Sequence, residues 1–496
     1  MVGEVLEGFL FIFTTRVFFY LLGGLLMGVF FGCVPGLTAT LAIALLLPFT
    51  FTMDVVPALV TIMGVYAGGI YGGCITATTI NIPGAPASTM TMLEGYPMMQ
   101  RGEGAKAIGY ASVASGIGGI VGAVVLMFLA PQMAKVALTF RSPERFTLIL
   151  LSVVIVAMVT RGSLVKGIIA TLIGLIISTI GMDPLLPYAR FNFGNPYLSR
   201  GIGLLPAIVG LFALPELLRQ MEAKDWNMEV NVKVRVKDVI PPWSELRKIG
   251  PLLYLKSAII GVIVGILPGS GAAMAAFVAY AEAKRTSKQA EKYGTGIPEG
   301  IVAAETANNA VCGGALIPLL SLGIPGDSVT AIVFGVLLIQ GLIPGPRLVE
   351  ENLSAMATMF AGLFIAQMII PLIGFLLTPI YLRLISINRS VLFAFIGVIS
   401  IVGIYVAEFS VFQMGVTVVV GVLAYFLQRF GYPTVPILMG IILGPLLEEY
   451  FRRSISLGGM RIFISTPLSV ALLALTVLAI YYLGFKQSWA KKMAEE

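Results

Sequence analysis

The segments that decide the fold are GVFFGCVPG (residues 28–36) and GVIVGILPG (residues 261–269). Both are apolar, and at a constant offset of 233 residues they agree at four positions, Gly28/Gly261, Gly32/Gly265, Pro35/Pro268 and Gly36/Gly269. A second matched pair follows, because NIPG (81–84) and GIPG (323–326) each come after a Gly-Gly pair. The chain therefore contains a duplicated unit with two Pro-Gly breaks in each copy.

These breaks lie in apolar surroundings, where backbone groups without a hydrogen-bond partner have a high free-energy cost. The first two segments lie in the runs 17–53 and 257–281, which contain no Asp, Glu, Lys or Arg. A proline removes a backbone donor, and freed backbone groups cannot be satisfied by hydrocarbon, so they must face a ligand, an ion or an internal cavity. A kink packed against neighbouring helices would explain one break. Four breaks in matching positions favour a transporter binding site.

The composition indicates that this chain is embedded in a lipid bilayer. Of its 496 residues, 58% are hydrophobic and 11% charged, and the mean hydropathy is +0.96. An average soluble domain has about 25% charged residues. Eight uncharged runs are long enough for a helix of about 20 residues: 17–53, 55–93, 107–134, 257–281, 306–326, 352–382, 409–428 and 462–485. With shorter runs added, we predict an all-α polytopic membrane protein of about 12 segments, within a range of 10 to 14.

One hydrophilic stretch, residues 219–256, holds eight basic residues and separates the two copies. The predicted domains are a first membrane repeat (1–218), this basic loop, a second repeat with C-terminal helices (257–485) and a tail (486–496). Basic residues flank both ends of the 257–281 run, whereas Arg16 and Asp54 flank its counterpart. Because cytoplasmic loops are rich in Lys and Arg, this asymmetry predicts inverted repeats and a cytoplasmic loop. For 17–53, a re-entrant hairpin and two full helices both remain open.

Several function classes are excluded. The chain has no histidine, which removes imidazole metal sites, imidazole proton relays and every Ser-His or Cys-His catalytic arrangement. Cys33, Cys74 and Cys312 show no CxxC spacing and are expected to fill small-residue packing positions. The net charge of +7 is explained by loop Lys and Arg, so no nucleic-acid partner is implied. We expect no enzyme activity and no cofactor apart from a coupling ion.

The quoted segments resemble the large membrane subunit of the tripartite tricarboxylate transporters, the TctA family. The resemblance covers nearly the whole chain and is carried by residues 28–53, 71–109, 265–284, 298–346 and 431–454. It implies a multi-pass subunit of the bacterial inner membrane that imports a tricarboxylate, such as citrate, or a related carboxylate by symport with a cation. It also implies a small membrane subunit and a periplasmic solute-binding protein as partners. A homodimer is compatible with this, and a passive anion channel or an exchanger of unrelated solutes is the alternative.

The uncharged runs offer almost no Lys or Arg to bind an anionic substrate, so backbone amides at the starts of half-helices must supply much of the binding. Hydroxyl and amide side chains nearby add donors, although Ser and Thr in helices often bond their own i−4 carbonyl instead. The predicted substrate-binding residues are Pro35, Gly36, Thr38, Thr40, Asn81, Pro268, Gly269, Ser270, Gly271, Asn308 and Asn309.

The second pair of breaks presents carbonyl, amide and hydroxyl oxygens, the ligands that a small cation prefers. The predicted cation-binding residues are Asn81, Pro83, Gly84, Ser88, Gly326, Asp327 and Ser328, with Na⁺ as one candidate ion and H⁺ as the other. Asp327 stands between two uncharged runs, where it serves either the cation or the N-cap of the next helix. Glu305, Asn308 and Asn309 share one helix face, for a cavity or for helix–helix hydrogen bonds. Glu94 and Asp54 are expected at the membrane interface.

Overall fold

The computed structural model describes residues 2–14, 16–159, 164–222, 235–384 and 389–481. As predicted, the described chain is mainly helical. The helices are α1 (Val2–Thr14), α2 (Val17–Cys33), α3 (Ala39–Thr50), α4 (Val55–Thr79), α5 (Thr89–Gln100), α6 (Gly104–Leu138), α7 (Ser142–Val159), α8 (Leu164–Ser178), α9 (Leu204–Glu222), α10 (Val236–Val239), α11 (Trp243–Ile249), α12 (Pro251–Ile266), α13 (Gly271–Thr286), α14 (Pro298–Leu322), α15 (Ser328–Ile339), α16 (Leu348–Glu351), α17 (Leu353–Leu384), α18 (Arg389–Glu408), α19 (Val411–Arg429), α20 (Thr434–Gly458) and α21 (Pro467–Ala479). A short antiparallel pair, β1 (Gly181–Met182) and β2 (Ala189–Arg190), joins α8 to α9.

The chain forms two compact units, each built from two stretches of sequence. Unit 1 comprises Met1–Ala134 and Arg219–Ile399, and unit 2 comprises Lys135–Leu218 and Ser400–Glu496. Both copies of the duplicated segment lie in unit 1. Residues 223–234 of the predicted basic loop and the whole predicted tail lie outside the described residues, and the predicted domain boundaries stay a prediction.

Helices α2 and α4 pack through glycines spaced four residues apart on both partners, Gly24, Gly28 and Gly32 on α2 and Gly64, Gly68 and Gly72 on α4. A Cβ atom placed on Gly28 would lie 2.4 Å from the Val65 carbonyl oxygen, and one on Gly68 would lie 2.4 Å from that of Leu25. Only hydrogen fits at these distances, so the two backbones touch. Such close approach is how apolar helices gain packing energy in lipid.

The second copy repeats this packing between α12 and α14. A Cβ atom on Gly261 would lie 2.2 Å from the Ala307 carbonyl oxygen, and one on Gly314 would lie 2.7 Å from that of Val262. The matched glycines of the sequence therefore place matched helix pairs in contact.

Four interruptions separate these helices from the helices that follow them. Break 1 (34–38) joins α2 to α3, break 2 (80–88) joins α4 to α5, break 3 (267–270) joins α12 to α13, and break 4 (323–327) joins α14 to α15. Each contains a residue with left-handed backbone: Gly36 (φ 93°), Asn81 (φ 57°), Gly269 (φ 82°) and Gly323 (φ 72°). Asn81 and Gly323 are the first residues of the matched NIPG and GIPG motifs, and asparagine is among the residues that best tolerate this conformation after glycine.

Six helices of the described chain are long and apolar enough to cross a membrane alone: α4, α6, α9, α17, α19 and α20. Two bent combinations, α1 with α2 and α10–α11 with α12, raise the number to eight. The breaks account for much of the difference from the predicted 12, because α3 and α15 have 12 residues each. Such a helix rises about 18 Å, less than the hydrocarbon thickness of about 30 Å. Residues 17–53 thus do not form two full spans, and a count above eight stays a prediction.

Unit 2 is held by helix packing and by an ionic network at one end. Gly174 of α8 packs on α20, where a Cβ atom would lie 2.1 Å from the Ile437 carbonyl oxygen. Arg452 lies 2.7 Å from Asp183, and Arg190 lies 2.7 Å from Glu448. Burial alone would raise the pKa of Asp183, but hydrogen bonds from backbone amides and Arg452 prevail and lower it to about 2. The network ties the turn between β1 and β2 to α20.

Candidate substrate and ion site at the four helix breaks

Within each copy, the two breaks contact one another through glycines. A Cβ atom on Gly84 of break 2 would lie 2.1 Å from the Gly32 carbonyl oxygen, beside break 1. In the second copy, a Cβ atom on Gly326 would lie 2.5 Å from the Gly265 carbonyl oxygen. The Gly269 amide also donates to the Gly326 carbonyl oxygen at 2.8 Å, which joins break 3 to break 4. The matched glycines thus hold matched breaks together.

The two copies then meet crosswise. The hydroxyl oxygens of Thr40 in α3 and Ser328 in α15 lie 3.3 Å apart and share a hydrogen bond. Helix α3 packs against α15, and α13 packs against the short 3₁₀ turn Pro86–Ser88 of break 2. Break 1 therefore meets break 4, and break 3 meets break 2. All four breaks lie in one region of unit 1.

Asp327 is buried at the start of α15. One carboxylate oxygen accepts from the Thr330 amide at 2.8 Å, and the Thr330 hydroxyl donates to the same oxygen at 2.8 Å. The Asp327 amide in turn donates to the Thr330 hydroxyl oxygen, which completes a capping box. The other carboxylate oxygen accepts from the Tyr66 hydroxyl of α4 at 3.0 Å. Asp327 is thus an N-cap, and the positive end of α15 stabilises its negative charge.

Asp327 also faces the start of α13. Gly271, the first residue of α13, has φ 66°, and a Cβ atom placed on it would lie 3.7 Å from the Asp327 Cβ atom. The side chain of Ser270 makes no capping hydrogen bond at this helix start. The α13 N-terminus thus lies beside a carboxylate without a side-chain cap of its own. An anion held there would have the Asp327 charge as its neighbour.

Glu305 of α14 forms a second buried polar cluster. Its carboxylate accepts from the Thr91 hydroxyl of α5, from the Ser115 hydroxyl of α6 at 3.0 Å and from the Asn308 amide at 3.2 Å. Asn308 also donates to the Ala87 carbonyl oxygen of break 2 at 3.4 Å, and Asn309 donates to the Asn308 amide oxygen at 2.7 Å. The predicted face of Glu305, Asn308 and Asn309 therefore makes helix–helix hydrogen bonds around break 2.

The predicted site residues divide into two sets by exposure. Asn81 is exposed, and the partly exposed positions are Gly36, Thr38, Pro83, Pro268, Gly269, Ser270, Gly271 and Ser328. The buried positions are Pro35, Thr40, Gly84, Ser88, Asn308, Asn309, Gly326 and Asp327. Members of the first set come from all four breaks or the helix starts beside them. The first set is at least partly exposed in the described chain, whereas the second set is covered by protein.

The threonines at break 1 do not form the i−4 bonds that often occupy such side chains. Thr38 caps α3, where its hydroxyl oxygen accepts from the Leu41 amide at 3.2 Å. Thr40 instead bonds Ser328 of the other copy. Break 1 thus contributes one hydroxyl to its own helix and one to the contact between copies.

Two functional features were not predicted from the sequence. Glu94, expected at the interface, is buried and accepts from the Tyr280 hydroxyl at 2.7 Å and from the Gly294 and Gly296 amides at 2.6 and 2.7 Å. The burial of Glu94 was not predicted because its partners lie about 200 residues away, and its place at the membrane interface stays a prediction. Tyr66 was also missed, since nothing near it in sequence indicates a carboxylate. Asp54, by contrast, is exposed at the start of α4.

The three cysteines agree with their expected packing role. Cys33, Cys74 and Cys312 are all buried and free. Within the described ranges, no group of three or more Cys, Asp or Glu side chains is arranged to hold a metal ion.

Comparison with known proteins places these features in a family. The model of the tripartite tricarboxylate transporter TctA family matches residues 18–439, which include all four breaks. The chain is similar to an uncharacterised 52.8 kDa protein from the TAR-I ttuC' 3' region of Agrobacterium vitis, with 36% identity over 454 residues, 91% of this chain and 90% of the relative. An uncharacterised protein from the TAR-II ttuC' 3' region of the same organism is 33% identical over 222 residues, 44% of this chain and 92% of the relative. No solved structure matches significantly. The chain is a multi-pass membrane protein that belongs to the tripartite tricarboxylate transporter TctA family.

Proposed function

We propose that this chain imports a tricarboxylate or a related carboxylate across the bacterial inner membrane, coupled to a cation gradient. The observation that supports this most directly is the meeting of four breaks from two matched helix sets. It brings together the start of α13, which has no side-chain cap, the Thr38-capped start of α3, and a buried carboxylate, Asp327. This combination offers binding groups for an anion and for a cation in one place.

The substrate would be bound mainly by backbone amides. Pro35, Gly36, Thr38 and Thr40 surround the start of α3, and Pro268, Gly269, Ser270 and Gly271 surround the start of α13. Unpaired N–H groups and a partial positive charge at helix starts bind anions without a basic side chain. A buried Lys or Arg in the same place would cost about 2.5–3.5 kcal/mol at the centre of the bilayer. Asn81, Asn308 and Asn309 would add amide donors from the second break and α14.

The coupling cation would lie between the substrate and Asp327. A substrate carboxylate held at the start of α13 and the Asp327 carboxylate would repel each other, because both groups are negatively charged and lie close together. A Na⁺ ion or a proton removes that repulsion, so neither substrate nor cation binds well alone. Asn81, Pro83, Gly84, Ser88, Gly326 and Ser328 would supply further oxygens around the cation.

Transport would follow from movement of two inverted repeats. The crosswise contacts, α3 on α15 and α13 on break 2, are those that a two-fold arrangement of the copies would produce. The asymmetry of basic flanks favours opposite orientations of the copies. Rocking of one copy against the other would open the breaks alternately to each side, as in other repeat-built carriers.

The remaining parts of the system are proposed from the family description. Tripartite transporters imply a small membrane subunit and a periplasmic binding protein that delivers the substrate. A homodimer is compatible with this arrangement. The alternative function is a passive anion channel or an exchanger of unrelated solutes.

The experiment is uptake of radiolabelled citrate, with other carboxylates in parallel, into proteoliposomes that contain this chain, its small subunit and its binding protein. Uptake is measured with an imposed sodium gradient, an imposed proton gradient or neither. Accumulation above equilibrium under one gradient supports the proposal. Uptake indifferent to every gradient contradicts it. Counterflow separates carrier from channel, because only an alternating carrier exchanges labelled for unlabelled substrate against a concentration gradient.

A further inference from the structure

The Glu305 cluster is chemically different from the Asp327 site. Asp327 lies at a helix start, whose dipole and capping bonds stabilise its charge. Glu305 lies within α14, away from both ends, and is completely buried. In the part of the chain that the structure describes, no Lys or Arg pairs with it, and its partners are two neutral hydroxyls and a neutral amide. A buried carboxylate without a counter-charge is costly unless it takes up a cation.

The neighbourhood of Glu305 contains unpartnered buried polar atoms as well. The Asn309 amide oxygen and the Ser88 hydroxyl have no hydrogen-bond partner among the described residues. Asn309 bonds Asn308, and Ser88 follows Ala87, whose carbonyl accepts from Asn308. The Asn309 side chain therefore belongs to the hydrogen-bonded chain that ends on Glu305, and Ser88 is the next residue in sequence after Ala87 of that chain. They are available to a water molecule or to a transferred proton.

The other titratable groups around Glu305 are neutral or already engaged. Tyr71 and Cys74 of α4 are fully buried, and the Tyr71 hydroxyl shares a hydrogen bond with Ser112. Glu94 of α5 is held by backbone amides and Tyr280, and Lys106 of α6 pairs with Glu245. On α14 itself, Glu299 lies in the first turn and is partly exposed. Glu305 is thus the acid of this cluster that is free to exchange a cation.

We infer that Glu305 binds the transported proton, so that the substrate moves together with H⁺ carried on this carboxylate. The assignment rests on the proposed carrier function and adds, to the cation proposed beside Asp327, a proton carried on a second carboxylate. A metal ion would have to displace the three donors from the carboxylate oxygens. A proton requires less, because the Thr91 and Ser115 hydroxyls can rotate and accept from the newly formed carboxyl O–H.

The location links this proton to the substrate. Thr91, which bonds Glu305, lies in the first turn of α5, and Ala87, which bonds Asn308, lies in break 2. Both residues belong to the segment that packs against α13. A change of charge on Glu305 therefore alters the hydrogen bonds of break 2. Movement of break 2 during transport would in turn change the environment of Glu305.

The test uses the Glu305→Gln variant in the same proteoliposomes with radiolabelled citrate and a pH-sensitive dye inside the vesicles. Glutamine keeps the shape and resembles the protonated carboxyl, because its amide oxygen can accept from Ser115 and Asn308 while its NH₂ donates to a rotated Thr91 hydroxyl, but it cannot exchange a proton. We expect counterflow within about threefold of wild type, with loss of pH-driven accumulation and of citrate-dependent acidification of the lumen. Glu299→Gln removes a carboxylate from the same helix outside the cluster and should leave all three measurements unchanged.

Several outcomes would overturn the assignment. Wild-type proton movement in Glu305→Gln places the proton elsewhere, and loss of sodium stimulation in place of proton movement identifies a metal ion instead. If wild-type vesicles show no gradient-driven uptake at all, the carrier function itself is contradicted. If Glu305→Gln does not fold, Glu305→Asp keeps a titratable group with altered contacts to Thr91 and Ser115. It should still move protons but with a shifted pH profile, and an unshifted profile also overturns the assignment.

Discussion

The Tyr66 hydroxyl donates to a carboxylate oxygen of Asp327 at 3.0 Å, although 261 positions separate the two residues in sequence. Tyr66 belongs to the long helix of the first copy, and Asp327 belongs to a break of the second. The reverse relationship also exists, because Asn308 on the long helix of the second copy donates to Ala87 in a break of the first. Each long helix therefore supports the break of the other copy, and any movement of one copy against the other must change these two hydrogen bonds.

Replacing Tyr66 with phenylalanine should destabilise the protein and weaken cation-dependent uptake, because the buried Asp327 carboxylate loses a donor. Hydrogen bonds to charged groups contribute about 1.5–3 kcal/mol, and bonds between neutral groups about 0.5–1.5 kcal/mol. Tyr71→Phe is the matched control, since Tyr71 is an equally buried tyrosine of α4 that bonds the neutral Ser112. Thermal unfolding in detergent should rank Tyr66→Phe below Tyr71→Phe. Equal losses of thermal stability in the two variants would show that the hydrogen bond to the carboxylate contributes no more than the bond to a neutral hydroxyl.

The Asp327→Asn variant separates the capping role from the charge. Asparagine is as good an N-cap as aspartate, so α15 should keep its start and the protein its stability. Gradient-driven uptake should nevertheless be abolished, because the proposed cation loses its charged partner. Asp327→Ala should lose both uptake and about 0.5–2 kcal/mol of stability. Asp327→Asn with wild-type accumulation would assign Asp327 to capping alone.

Asn81 can be tested in the same way, since its left-handed backbone and its exposed side chain are separate properties. Asn81→Gly keeps the conformation that Gly323 adopts in the matched motif, whereas Asn81→Ala adds strain of order 1 kcal/mol at φ 57°. We expect Asn81→Gly to fold normally and to lose citrate uptake at least tenfold, with Asn81→Ala losing stability as well. Full uptake by Asn81→Gly would mean that the backbone conformation is all that this position requires.

Gly28 should tolerate no side chain. Its Cβ atom would lie 2.4 Å from the Val65 carbonyl oxygen, whereas a Cβ atom on Gly23 of the same helix meets nothing within 4 Å. Gly28→Ala should force α2 away from α4 and reduce the yield of folded protein by severalfold. Gly23→Ala should be neutral or stabilise α2 by up to about 1 kcal/mol. Size-exclusion profiles of the two purified variants provide the measurement, and matching profiles would contradict the packing argument.

Glu94 should matter for stability through the segment before α14. Because Gly294 donates to one carboxylate oxygen of Glu94 and Gly296 to the other, the Glu94→Gln variant presents its NH₂ to one of these backbone amides in either orientation, which leaves a buried donor facing a donor. A loss of about 1–3 kcal/mol is expected for such an unsatisfied group. Limited proteolysis should then cut within residues 287–297 faster than in wild type. Glu103→Gln, on a half-exposed carboxylate of the same region, should leave the cleavage rate unchanged.

The sequence by itself determined the membrane environment, the helical fold class, the duplication and the positions of its breaks. These follow from local properties: apolar run length, the absence of charge, and proline and glycine at matched offsets. Residues 28–36 and 261–269 therefore predicted where α2 and α12 would end. The same local properties overestimated the spans, because an uncharged run such as 17–53 does not show that α3 is only 12 residues long.

Only the tertiary structure decided which polar groups meet. Tyr66 with Asp327, Thr91 with Glu305 and Glu94 with Gly296 are pairs about 200 residues or more apart, whose contact depends on how the copies pack. A carboxylate at the end of an apolar run has the same local sequence whether it faces water or a buried partner. For this reason the sequence did not reveal that Glu94 is buried against Gly296, and Asp327 is identified as a buried cap only by the packing of α4 against α15.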